Sequence, residues 1–148
     1  MRTLARAGRI ILGGIFLWAS ITKVPDMAAF AESVANYRIV PPALVPAVAS
    51  AVVGVEILAG VALVLNVWTR AAALLLAALL AVFTVGLASA LARGIDLACG
   101  CFGGSAQATW WTVLRDLALL GFALGVAASS PPPPVDSTVR PPDPSLAP

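Results

Sequence analysis

The chain contains no histidine, only two cysteines and little charge: Asp, Glu, Lys and Arg make up 11% of its 148 residues. Each scarcity closes off a class of chemistry. Without imidazole there is no Ser-His triad, no histidine-ligated haem and no histidine-containing zinc site. Two cysteines alone do not complete the four ligands of a structural zinc. Neither metal nor haem is expected. Soluble domains carry about 25% charged residues. Here the deficit accompanies 60% hydrophobic residues and a mean hydropathy of +0.97, which points to a protein of the lipid bilayer. The net charge of +2 is scattered along the chain, so no nucleic-acid footprint is present.

What the chain does have is long apolar runs. A bilayer core of about 30 Å takes around 20 helical residues. Four segments qualify: residues 10–25, 44–65, 71–92 and 110–128. The first follows Arg2, Arg6 and Arg9, as in a secretory leader. Trp18 in Leu17-Trp18-Ala19-Ser20 occupies the place of a small residue at a cleavage site, so an uncleaved helix is expected. In the fourth, only Leu117 to Ala128 follow Arg115-Asp116, too few to cross, so those two charges are expected inside the membrane near one face. The fold class is therefore all-α: a polytopic four-helix membrane bundle over residues 1–128.

Two further segments complete the organisation. Met27, Phe30, Val34 and Tyr37 recur at helical spacing, Asp26 is placed to cap the start, and Pro41-Pro42 to stop the helix. This predicts a short amphipathic helix on the membrane surface or over the bundle mouth. Residues 129–148 hold eight of the twelve prolines and read as a disordered tail. Gly121 and Gly125, and Ser50 and Gly54, are spaced for close helix contacts within the bundle. With the N-terminus inside, Arg2, Arg6, Arg9, Arg70 and Arg140 lie on the inner side, against Arg38 and Arg93 outside. The bias favours cytoplasmic termini in a bacterial inner membrane.

That orientation places Cys99 and Cys101 on the extracytoplasmic face, where disulfides persist. The pair sits in Cys99-Gly100-Cys101-Phe102-Gly103, a polar break between the third and fourth spans. Thiols at i and i+2 reach disulfide distance in a turn, and such a tight ring is strained and reducible. The spacing admits a redox-active dithiol and equally two small residues tolerated in a tight loop.

The remaining candidates are charges in the membrane. Glu56 falls near the centre of the second span, where a carboxylate must face the bundle interior. It reads either as a functional group or as a protonated group bonding across helices. Lys23, Arg115 and Asp116 fall at the outer ends of the first and fourth spans, level with the cysteine loop. Asp116 is placed to pair with Lys23, leaving Arg115 free, and cations there raise the thiolate fraction of a nearby cysteine. Snorkelling to the interface is the competing explanation of Lys23.

With these residues in view, the chain resembles the MauE/DoxX family of redox-associated membrane proteins over residues 9–126. The matching features are Gly13-Gly14-Ile15-Phe16 to Thr22-Lys23, Tyr37-Arg38-Ile39-Val40-Pro41, Glu56-Ile57-Leu58-Ala59-Gly60, the cysteine loop, and Arg115-Asp116. The resemblance implies thiol–disulfide or quinone-coupled chemistry. It also implies an extracytoplasmic partner, a thiol protein or an exported dehydrogenase of the methylamine-utilisation type. A non-catalytic assembly factor and a small-solute carrier using Glu56 as a proton site are the competing functions.

The orientation is testable directly. Membrane-impermeant thiol reagents should label reduced Cys99 and Cys101 on intact cells. Labelling only after permeabilisation would reverse the topology.

Overall fold

The computed structural model describes residues 2–94 and 109–130, and all their regular structure is helical. Helix α1 spans Arg2–Lys23, α2 Met27–Asn36, α3 Val45–Leu65, α4 Thr69–Ala92 and α5 Trp110–Ser129. Four helical segments are long and apolar enough to cross a membrane: Arg6–Asn36, Pro42–Leu65, Thr69–Ala92 and Trp110–Ser129. The expected spans are all present. The first helix ends at Lys23, two residues early, because a 3-10 turn over Val24–Asp26 leads straight into α2.

Local chemistry sets the helix ends. The Asp26 carboxylate accepts from the Ala29 N–H at 2.9 Å, so α2 begins where the capping residue directs. The helix stops at Asn36, well before Pro41-Pro42. Arg38 takes a left-handed conformation (φ 53°), and the Arg93 guanidinium donates to the Tyr37 carbonyl at 3.4 Å. The reversal at Arg38, rather than proline, ends α2. Pro46 lies in the first turn of α3, where its missing N–H costs no helical bond. Left-handed Asn66 (φ 63°) closes the other end by donating to the Ala62 and Leu63 carbonyls, and Arg9 of α1 donates to its side chain. A Thr109–Thr112 capping box starts α5.

The helices alternate in direction. Gly13 faces Gly60 and Lys23 reaches Glu56, so α1 and α3 run antiparallel. Ala73, Leu76 and Leu80 of α4 cluster with Ala123 and Ala127 of α5, alongside Leu12, Phe16 and Leu63. A second cluster joins Phe30 and Val34 of α2 to Val45, Ala49, Val52 and Val53 of α3. Helix α2 therefore covers the part of α3 that projects past the end of α1. Outward, Trp18, Leu58 and Val82 are 66–73% exposed, as lipid-facing side chains should be.

Small residues bring α1 and α3 together, but not the ones whose spacing suggested it. A Cβ on Gly13 would sit 2.8 Å from the Gly60 carbonyl oxygen, and one on Gly60 would sit 2.9 Å from Leu17 Cγ. Gly54, Gly121 and Gly125 would meet nothing within 4 Å, and Ser50 bonds to its own helix at the Pro46 carbonyl. Those residues face away from the bundle. In lipid, where helices gain no hydrophobic drive toward one another, such a backbone approach is a main source of packing.

Gly13→Ala should accordingly destabilise the bundle by about 1–3 kcal/mol through overpacking. Gly121→Ala, in open space, should be neutral or slightly stabilising through helix propensity. Thermal unfolding of the two variants in the same detergent checks the difference.

Candidate functional site

The close α1–α3 contact fixes the central feature of the protein. One turn beyond Leu17 comes Ser20 and nearly a turn later Lys23, and on α3 one turn before Gly60 comes Glu56. Lys23 Nζ donates to Glu56 Oε1 at 2.6 Å and Oε2 at 2.8 Å, with the two side chains 2% and 5% exposed. Ser20 Oγ lies 3.2 Å from Oε2, and the Phe30 ring centroid of α2 lies 5.0 Å from Nζ. The ammonium is thus held by a carboxylate on one side and an aromatic face on another.

On α5, Asp116 is buried, and its Oδ1 accepts from Arg115 Nε at 3.2 Å and Nη2 at 3.0 Å. Arg115 itself is 39% exposed. This corrects the expected pairing: Lys23 binds Glu56 rather than Asp116, and Arg115 is occupied by its neighbour rather than free. The physical reason is distance between helices. Gly13 and Gly60 let α1 touch α3 backbone to backbone, so the nearest carboxylate to Lys23 is on α3. Lys23 does not snorkel, since it is buried, and the Glu56 carboxyl lies 2.6 Å from its ammonium across the α1–α3 contact.

Lys23, Glu56 and Asp116 nevertheless meet at one place. All three line a cavity between the helices, with Phe16, Leu80 and Phe83 among its apolar walls. Its interior gives water centres about 30 Å³ of room. Arg115 approaches from behind Asp116. Of the expected site residues, then, the four charges are gathered at one level of the bundle.

Cys99 and Cys101 lie outside the described residues. The chain leaves the described part of α4 at Gly94 and re-enters at Thr109. Both points belong to the same end of the bundle, because Leu87, Ala90 and Val113 share a buried cluster with Tyr37. Asp116 sits two turns into α5 from that end, and Lys23 ends α1 there.

Ser20 and Phe30 were not singled out by sequence reasoning. Ser20 had one signal, its position three residues before Lys23 on the same helix face. Lys23 had a stronger one than its place at a helix end: it is the only lysine, beside eight arginines.

A buried ion pair makes a sharp thermodynamic forecast. Lys23→Met or Glu56→Met alone should cost about 3–5 kcal/mol, because each leaves an uncompensated charge in the bundle. The double substitution should recover most of that loss. Glu56→Gln should also destabilise, since a neutral amide does not balance the ammonium. A double-mutant cycle on unfolding in detergent measures the coupling.

The family model described as methylamine utilisation protein MauE matches residues 1–129. The methylamine utilization protein MauE of Paracoccus denitrificans is 36% identical over 126 residues, which cover 83% of this chain and 68% of that protein. No solved structure matches the chain. The matched stretch takes in all five helices and every charge of the cavity. The chain belongs to the MauE family.

Proposed function

We propose that the protein is a membrane thiol–disulfide redox protein serving methylamine utilisation, with Cys99 and Cys101 as its reactive pair. The observation that carries this reading is the placement of the chain's only two cysteines, one residue apart, in the segment joining α4 to α5. Family membership links the chain to methylamine utilisation. The arginine bias supports an orientation with the segment outside the cytoplasm and both termini within, in a bacterial inner membrane.

The exchange balances without a cofactor. A thiolate of the partner attacks one sulfur of the Cys99–Cys101 disulfide and releases the other as a thiolate. The partner's second thiolate then attacks the mixed disulfide. Two electrons and two protons pass from the partner dithiol to the cysteine pair, and the reverse sequence reduces a partner disulfide. The partner is an extracytoplasmic thiol protein, of which an exported dehydrogenase subunit is the candidate. With a single dithiol in the chain, the second redox couple comes from outside it. A quinone is the candidate for that outside couple, as the family resemblance implies.

Replacing either cysteine by serine should leave the other able to form a mixed disulfide but unable to resolve it. Cells carrying Cys99→Ser or Cys101→Ser, with thiols blocked at lysis, should show an adduct on a non-reducing gel that collapses on reduction. If neither variant traps an adduct and both support full growth on methylamine, the pair only shapes its loop, and the protein is an assembly factor.

A further inference from the structure

The cavity joins three ionisable groups that the thiol reading does not use. Lys23 comes from α1, Glu56 from α3 and Asp116 from α5. Helix α4 contributes apolar walls such as Leu80 and Phe83, and has no titratable residue between Arg70 and Arg93. From α2, the group facing Lys23 is the Phe30 ring, and from α5 Arg115 meets the far side of Asp116.

Their carboxylates have hydrogen-bonding capacity beyond the pairs already described. Arg115 donates twice to Asp116 Oδ1, and the Asp116 carboxylate, only 2% exposed, has further lone pairs to offer a donor. Glu56 keeps lone pairs beyond those turned to Lys23 and Ser20. A water needs about 10–15 Å³ for its centre and two to four polar partners. The cavity gives about 30 Å³ and lies against Lys23, Glu56 and Asp116. It has room for about two waters.

We propose that this cavity binds water bridging the Lys23–Glu56 pair to Asp116, and that the bridge makes the two carboxylates a shared proton-exchange site inside the membrane. A proton taken up at one carboxylate passes to the bridging water, which gives one of its own to the other. No electron moves and no heavy-atom bond changes. The cysteines play no part, so the proposal stands or falls apart from the thiol chemistry.

The lone lysine makes the site directly observable. In the full chain labelled with isotopic lysine and held in phospholipid nanodiscs, solid-state NMR should give one ammonium signal, that of Lys23. We expect a cross-peak from water to this ammonium. Ala19→Val narrows the cavity without touching a charge and should weaken the cross-peak severalfold. The Lys23 signal should also move with pH in a way that Asp116→Asn abolishes and Asp26→Asn preserves. A missing water cross-peak in the unsubstituted protein, or a pH response unchanged by Asp116→Asn, overturns the proposal. If Asp116→Asn does not accumulate, Ala19→Val decides: an undiminished cross-peak overturns the proposal, and a severalfold loss supports it.

Discussion

Inside a bilayer an ammonium has no solvent but the protein, and the architecture around Lys23 answers to that constraint. Its charge is met by both oxygens of Glu56 and by the face of Phe30. Neither contact is reachable unless α1 and α3 approach backbone to backbone and α2 folds back across the projecting end of α3. The glycine contact, the 3-10 turn after Lys23 and the Asp26 cap are therefore parts of one solution. Each positions a group that a buried cation requires.

The second ion pair is built on a different plan. Arg115 and Asp116 are neighbours in sequence, so their pairing needs no other helix and survives any shift of α5 along the bundle. Lys23–Glu56 spans two helices and depends on their register. One pair reports local geometry and the other reports assembly. Both meet at the same small cavity, through Lys23, Glu56 and Asp116, while large apolar side chains such as Trp18, Leu58 and Val82 face outward.

Much of this was legible in the sequence for a plain reason: lipid imposes length and hydropathy on each crossing segment, and both are one-dimensional properties. The four spans, the Asp26 cap and the need for Glu56 to face inward followed from that. The identity of its partner did not. Pairing depends on the rotation and register of helices about one another, which the spacing of residues within a single helix does not encode. The same limit explains the glycines. Gly121 and Gly125 have the i, i+4 spacing of a packing motif yet face open space, whereas Gly13 and Gly60 meet across 47 residues of chain with no local signature. The stop of α2 was misplaced because proline is conspicuous in a sequence, while a left-handed arginine beside a carbonyl bonded by Arg93 is not.

Arg93 makes a further consequence visible. Its guanidinium donates to the Ser89 carbonyl of its own last turn at 3.0 Å and to Tyr37 at the end of α2 at 3.4 Å. A cation at that position offsets the negative end of the α4 dipole. It also moors two parts of the chain that are far apart in sequence. The end of α4 is thus moored rather than left to fray. The turn that ends α2 and the last turn of α4 are thereby tied to each other through one side chain.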